Sequence, residues 1–391
     1  MLKNFWYAVE FSSAVSENPV QVTVMSEQYV LYRDNTGKAI ALKDRCAHRG
    51  ASLSQGWVEE KCIRCPYHGW SFDDSGTCTF IPADQPGTQI PKRARVESLP
   101  VQERYSFIWI FIGDLPAAER PPLPELPEFD APGWRIVSGE YTWNAHYTRV
   151  VESGLDSAHA PFVHAAFFSN RDDAEVTPYE VETADYSVSA LTVSKPPKRV
   201  GLLKFIVKRD RPFSSAKLTG HLPNINHIEL DFNFRGFQYI YFASNIPVDE
   251  NTTLTKWIGL RNFLPQAWAD WNSVKNTVET YEEDKAIIES QLPRVVPLTG
   301  ELLIKSDILQ LSYRKLMRKY LDMGWGIGDY GLMMAPEEDQ IQPDALLGLE
   351  PAEKKHSPDI EENTEESSEK RIEESTEKNA ESEEKPNLVG V

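Results

Sequence analysis

Apolar runs and alternating apolar and polar positions mark where this chain folds as sheet. Residues 20–34 (VQVTVMSEQYVLYRD) and 39–44 (AIALKD) read as strands around an Asn35-Thr36-Gly37 turn. Residues 106–112 are almost continuously apolar and strand-sized, the pattern of a strand buried on both faces. Further on, 187–194, 227–235, 237–247 and 252–263 read as strands of an antiparallel sheet, with Gly236 at a tight turn. Residues 150–159, 266–292 and 306–321 read as helices. The long one carries an apolar stripe at Val274, Val278, Tyr281, Ile288 and Leu292. Sheet followed by long helix is an α+β order rather than alternating βαβ.

Composition divides the chain further. Residues 116–132 hold six prolines, a density that stops helices and central strands and makes a stiff connector. The boundaries are therefore 1–115 for an all-β domain, 116–132 for the connector and 133–335 for a mixed domain. Residues 336–391 form an acidic tail. Within it, 351–391 hold 13 acidic and 6 basic residues and no aromatic one, too little apolar surface to offset ordering, so the tail is expected to be disordered. The net charge of −18 gives no sign of nucleic-acid binding. No apolar run is long enough for a signal peptide or a membrane span, which points to a cytoplasmic protein. Gly324-Trp325-Gly326-Ile327-Gly328 follows a helix and lacks nucleotide-loop spacing, so oxidation of NAD(P)H belongs to a partner.

The chemistry sits in two clusters. Cys46-Ala47-His48 and Cys65-Pro66-Tyr67-His68 supply two thiols and two imidazoles from two loops. A [2Fe–2S] cluster held this way puts both Cys on one iron and both His on the other, which raises its reduction potential. A zinc knuckle at Cys62-x-x-Cys65 competes, but a ribbon needs a second Cys-x-x-Cys and Cys46-x-His48 is too tight to supply it. Cys62 and Cys78 are then spare thiols. With Gly50, Gly69-Trp70 and Phe72-Asp73-x-x-Gly76, the pattern resembles the Rieske signature of ring-hydroxylating oxygenases and related demethylases. Arg45, Arg49, Lys61 and Arg64 flank the ligands, either as ordinary solvated charges or as a positive rim for an acidic electron donor.

The second cluster is Asp156-x-x-His159-x-x-x-x-His164. Residues five apart diverge by about 140° on an ideal helix, so His159 and His164 converge only if the helix breaks, and Pro161 is suitably placed. Two His and a carboxylate make the facial triad of non-haem Fe(II) oxygenases, which leaves one side of the iron open. The carboxylate should come from the long helix, where Glu279, Glu282, Glu283, Asp284 and Glu289 are available. Asp284 falls on the apolar stripe, where an unpaired carboxylate is costly and a cation partner is expected.

This segment too resembles the Rieske oxygenase catalytic domain, departing at Ser153, where the family commonly has Asn. The resemblance covers about residues 4–325 and implies an all-β Rieske domain followed by a helix-grip, START-like antiparallel sheet. It implies a [2Fe–2S] cluster at Cys46, His48, Cys65 and His68, and Fe(II) at His159, His164 and Asp284. It gives Asp156 the role of joining the iron site to a cluster ligand of a neighbouring subunit, hence a closed ring, usually a homotrimer. Segment 306–321, with Tyr313-Arg314, looks closer to the alpha-only demethylase and pheophorbide-oxygenase-like branch. The implied activity is oxidation of a small aromatic, tetrapyrrole or alkaloid substrate by O₂, with electrons from a ferredoxin or an NAD(P)H-dependent reductase. An electron-transfer protein with an inactive second site is the alternative, though that role needs only the first ~110 residues. His146, His221, His227 and His356 are expected to be structural or exposed; Phe162, Phe167, Phe168, Phe232, Phe234, Tyr239 and Tyr241 could line a pocket, with core packing the default expectation.

Overall fold

The computed structural model describes residues 1–164, 171, 174–194, 214–298 and 300–327. The acidic tail, Phe167, Phe168, Gly328 and His356 lie outside them. Eleven strands precede residue 113: β1 (Phe5–Phe11), β2 (Val20–Val24), β3 (Glu27–Arg33), β4 (Ala39–Lys43), β5 (Trp57–Glu59), β6 (Cys62–Arg64), β7 (Ser71–Phe72), β8 (Cys78–Phe80), β9 (Ser98–Leu99), β10 (Val101–Arg104) and β11 (Phe107–Ile112). They form antiparallel sheets of order β2-β3-β4-β9, β5-β6-β7-β8 and β1-β11-β10. Val30, Tyr32, Ile40 and Leu42 of the first sheet pack on Ile63 and Phe72 of the second, and Cys46 and Cys65 belong to that same core.

Beyond the connector come β12 (Arg135–Trp143), β13 (Val181–Thr183), β14 (Ser187–Ser194), β15 (Ser214–His221), β16 (Ile225–Asp231), β17 (Gln238–Pro247) and β18 (Thr253–Arg261). They make one antiparallel sheet of order β12-β18-β17-β16-β15-β14-β13. The described helices are α1 (Tyr147–Ser153), α2 (Ala160–Val163), α3 (Asp270–Ile288) and α4 (Ile308–Tyr320). Side chains alternate between the two faces of the sheet. On one face, Val137, Trp143, Ala243 and Trp257 meet Tyr281 and Ile288 of α3. Val188, Ala190 and Leu218 meet Tyr313, Leu316 and Tyr320 of α4. On the other, Ile225, Ile240, Phe242 and Ile258 meet Trp6, Phe107 and Trp109 of the N-terminal sheet, with Leu123 and Leu126 of the connector. Each such fully buried side chain contributes about 1.5–3 kcal/mol, so the sheet welds the N-terminal strands to the helices.

The α+β order holds, and α3 lies across an antiparallel sheet as expected. Several boundaries moved for identifiable reasons. Met25 and Ser26, at φ 55° and 62°, split the stretch read as one strand into β2 and β3. That is the conformation of a tight hairpin turn, without its usual Asn-Gly signature. β1 and β12 carry no clean alternation, β1 because both its faces are largely buried. Leu292 lies beyond α3 and is 80% exposed, so the stripe ends at Ile288. The glycine-rich 324–327 stretch closes the N-terminus: Gly326 bridges to Leu2, and Trp325 packs on Phe5 and Tyr320.

Asp270 in the first turn of α3 pins the helix to the sheet. Its carboxylate meets Arg135 of β12 at 2.6 Å and Arg261 of β18 at 2.5 Å. These two guanidiniums hold its pKa down at about 2. A carboxyl with a depressed folded pKa stabilises the fold above its unfolded value, near 3.9, and loses that effect as pH falls through the folded value. Asp270→Asn is therefore expected to lower Tm at pH 7, with the deficit shrinking from about pH 4 and gone near pH 2. Equal Tm values for the two proteins at pH 7 would remove this anchor from the account.

Candidate metal centres

The two Cys/His loops share one backbone design. In the first, the Cys46 N–H donates to Ala51 O and the Gly50 N–H returns to Cys46 O. In the second, the Cys65 N–H donates to Trp70 O and the Gly69 N–H returns to Cys65 O. Gly50 and Gly69, at φ 76° and 69°, close the two turns in the left-handed region that suits glycine. The thiols end up buried, at 3% and 1% exposure, while His48 and His68 are exposed at the surface. The imidazole rings stand 4.6 Å apart, and His48 lies flat on Trp70 at 4.5 Å. Burial, with Cys65 alongside, pushes the Cys46 thiol up to about 11. A thiol in that position gives up its proton to a bound metal, and a cluster provides one. The donor set therefore fits an iron–sulfur cluster with its imidazole end outward.

Cys62 and Cys78 stand outside both loops. Cys62 contacts the Thr79 hydroxyl at 3.7 Å, and Cys78 is buried in the core. Of the flanking cations, Arg64 is tied to Glu59 at 2.6 Å and lies over Phe80, while Arg45, Arg49 and Lys61 are exposed.

The second site forms where the chain leaves α1. The helix stops at Ser153, earlier than the sequence suggested, so Asp156 and His159 sit in an irregular turn rather than on a helix face. His159 precedes the single turn of α2, and Pro161 lies in that helix's first turn, where proline is tolerated. Helical hydrogen bonds run from His159 to His164, so the two histidines cap the ends of one short turn and the break expected at Pro161 does not occur. His159 Nε2 lies 3.2 Å from His164 Nε2. Asp284 Oδ1, from α3, lies 3.1 Å from His164 Nε2 and 3.6 Å from His159 Nε2. Donors at about 2.1 Å from a common ion and at right angles stand about 3 Å apart, so the spacing suits one metal ion. Among the described residues, no other group of three His, Cys, Asp or Glu donors converges this closely.

The partners of the rings support the same reading. His164 Nδ1 pairs with Glu283 Oε2 at 2.7 Å. A neutral His164 donating there turns its Nε2 lone pair toward His159 Nε2 and the Asp284 carboxylate, an arrangement that a cation relieves. Burial disfavours the charged form of His164, yet Asp284 and Glu283 hold its pKa above the ordinary histidine value. His159 Nδ1 faces Asp156 Oδ2 at 3.6 Å, and the Ala158 N–H donates to Asp156 Oδ1 at 2.7 Å. Burial opposes the Asp156 charge, but His159 and these amides keep its pKa below the ordinary value. In the sequence Glu283 is one of several candidate ligands; its position beside His164 depends on the helix's rotation, which the sequence does not reveal.

Behind the turn, a buried ion network fixes α1. Arg314 of α4 grips Glu152 with two bonds of 2.6 and 2.7 Å and reaches Glu301 at 2.6 Å. Arg149 joins Glu301 at 2.8 Å and donates to Pro293 O. Asn226 of β16 donates to Val151 O at 3.0 Å, and a Cβ on Gly154 would meet that Asn226 amide at 2.7 Å. Arg149, Glu152, Glu301 and Arg314, with Asp156, His159 and Asp284, border a cavity of about 440 Å³.

Two paired Cys/His loops in a β domain, ahead of a two-His, one-carboxylate site under an antiparallel sheet, define a non-haem iron protein fed by a Rieske-type cluster. Comparison with known proteins agrees. Residues 5–100 match the Rieske [2Fe–2S] domain family, and residues 143–323 match the vanillate O-demethylase oxygenase C-terminal domain. The methylxanthine N1-demethylase NdmA of Pseudomonas putida is 30% identical over 333 residues, spanning 81% of this chain and 89% of NdmA. A toluene-4-sulfonate monooxygenase iron–sulfur subunit, TsaM1 of Comamonas testosteroni, is 29% identical over 326 residues, covering 77% of this chain and 93% of the subunit. The solved structure of Pseudomonas putida CBB5 NdmA with caffeine superimposes at a TM-score of 0.72 with 27% identity, covering 83% and 92% of the two chains. The chain belongs to the Rieske non-haem iron oxygenases, as a catalytic alpha subunit with a [2Fe–2S] cluster and a mononuclear iron.

Groups that orient a metal-bound histidine typically contribute 10–100-fold in metal affinity. Glu283→Ala is therefore expected to weaken Fe(II) binding by about that factor, with acid-labile sulfide unchanged. Competition against a chromophoric chelator measures it, and unaltered affinity would deny Glu283 this role.

Proposed function

We propose that this chain hydroxylates or demethylates a small organic molecule, and that Cys46, His48, Cys65 and His68 hold its cluster while His159, His164 and Asp284 hold its iron. The observation that carries the reading is the convergence of His159, His164 and Asp284 donors within 3.1–3.6 Å of one another. Together the two bound groups supply electron transfer and the reductive activation of O₂. The protein's own part is positional. Glu283 holds the ring of His164, Asp156 faces His159, and the Arg314–Glu152 pair keeps the turn between them in place.

Asp156 is the proposed bridge to a cluster histidine of a neighbouring subunit in a homotrimer. It is only partly buried and borders the open cavity, while His48 and His68 stand exposed on the other metal domain. The proposed organisation is a Rieske domain over 1–115, a connector over 116–132, a catalytic domain over 133–335 and an acidic tail over 336–391. A ferredoxin or an NAD(P)H-dependent reductase is the proposed donor, and the cytoplasm the proposed location. No helix of the described residues is long and apolar enough to cross a membrane. Relatives named for methylxanthine and toluene-4-sulfonate chemistry set the scale of the substrate, a compact ring bearing a methyl group.

Anaerobically purified protein should hold about three iron and two acid-labile sulfide per chain. His164→Ala should lower this to about two and two. Two iron in the unaltered protein, with no third taken up from added Fe(II), would favour a purely electron-transferring role. Asp156→Ala should keep three iron and two sulfide yet stop substrate-dependent reoxidation of the reduced cluster. Normal turnover by that variant would remove Asp156 from the bridge.

A further inference from the structure

The sheet face turned away from α3 carries two imidazoles whose Nε2 atoms lack a hydrogen-bond partner. Alternation puts His221 of β15 and His227 and Glu229 of β16 on this face, beside Ile225 and Phe242. Thr219 lies opposite His227 in the register, so His221 and His227 are diagonal neighbours. Their rings stack 6.0 Å apart at 19°. The Nε2 atoms of both are buried without a hydrogen-bond partner, and His227 is only 7% exposed. An unsatisfied buried polar atom costs about 1–3 kcal/mol, and here there are two in one place.

Both atoms belong to side chains lining a cavity of about 630 Å³. Its remaining charged walls are Glu125 and Glu128 of the connector, Glu182 of β13, Glu229 and Lys217. Four carboxylates against one ammonium make the cavity anionic, and Lys217 already sits 3.7 Å from Glu229. Burial holds His221 down to about 3 and His227 to about 4, so both are neutral at pH 7 with a lone pair to offer. Neutral imidazoles beside carboxylates favour a divalent ion of the cobalt, nickel and zinc group over calcium or magnesium.

We propose that His221, His227 and Glu229 form a second metal site, for a divalent ion of the cobalt–nickel–zinc group. His227 Nε2 lies 3.9 Å from Glu229 Oε1. Donors on a tetrahedral ion at about 2.0–2.1 Å stand about 3.3 Å apart, so that pair closes by roughly half an ångström. No hydrogen bond among the described residues fixes the His221 ring, which can turn to complete the set. The bound ion ties the sheet to the connector through the facing Glu125 and Glu128. Its role is thus to stiffen the junction between the two metal domains, apart from the reacting iron.

The test uses holoenzyme with cluster and iron loaded, titrated anaerobically with Co²⁺ and followed by calorimetry and visible absorption. One Co²⁺ per chain should bind beyond the iron, and Tm should rise with it. His221→Gln and His227→Gln should each weaken that binding at least tenfold and abolish the Tm rise, with iron and sulfide unchanged. Glu229→Gln gives the same reading should a histidine variant fail to fold. His164→Ala should lose the mononuclear iron and keep the extra Co²⁺, which separates this site from the proposed catalytic one. No Co²⁺ beyond the iron in the unaltered protein, or equal binding by His227→Gln, would overturn the proposal.

Discussion

Like-charged and lone-pair-bearing atoms do not crowd together in a protein interior unless a cation sits among them. In this chain the Asp284 oxygen and two imidazole nitrogens face one another at 3.1–3.6 Å in a half-buried pocket. The desolvation of one unpaired carboxylate there costs several kcal/mol. The surrounding structure can be understood as the means of holding these acceptors together against that cost. α3 is fastened at its start by Asp270 between two arginines and along its length by Tyr281, which meets Trp143 and Tyr141. α1 is fastened by the Arg314–Glu152–Glu301–Arg149 network and by Asn226. The sheet carries both anchor sets, so the relative placement of His164 and Asp284 is inherited from its rigidity.

The ion network behind α1 is itself balanced: two arginines against two glutamates, all largely buried. Burial raises the pKa of Glu152, opposed by Arg314. Removing either partner leaves an uncompensated buried charge, which typically costs 3–5 kcal/mol. The network therefore conveys a firm position to the turn that begins at Gly154. A hydrophobic wall of the same volume could stabilise as well, but it would not fix the direction in which Asp156 and His159 leave the helix. Asn226 adds that direction from the sheet side, through its bond to Val151 O and its acceptance from Asn245.

Much of the chemistry was legible because its determinants are local. Cys46, His48, Cys65 and His68 are read from two short loops whose geometry needs only a glycine four residues after each cysteine. Asp284 was legible through a contradiction, an acid on an apolar stripe. What stayed hidden depends on contacts between distant segments. The Glu283–His164 pair joins residues 119 apart, and the Arg314–Glu152 pair residues 162 apart. β1 escaped because a strand buried on both faces shows no alternation. The helical reading of 150–159 failed because α1 stops at Gly154, where only Gly can approach Asn226, a constraint imposed from another strand.

The two proposed metal sites are built with opposite polarity, and that difference bears on how they would cooperate. At the cluster site the thiols are buried and the imidazoles face outward beside an exposed Tyr67. At the iron site His164 and Asp284 are nearly enclosed, while His159 and Asp156 remain partly open on the side of the 440 Å³ cavity. A redox group whose exposed end is made of imidazoles exchanges electrons through whatever touches those rings. Asp156, which faces His159 and keeps an edge toward solvent, is in the proposed trimer the acid placed to touch such a ring. Each site thus has its unfinished side at the surface, and the cavity beside the second one mixes charged residues such as Arg149, Glu301 and Arg314 with apolar Val163, Ile287 and Leu302. Under the proposed trimer these are two halves of one contact.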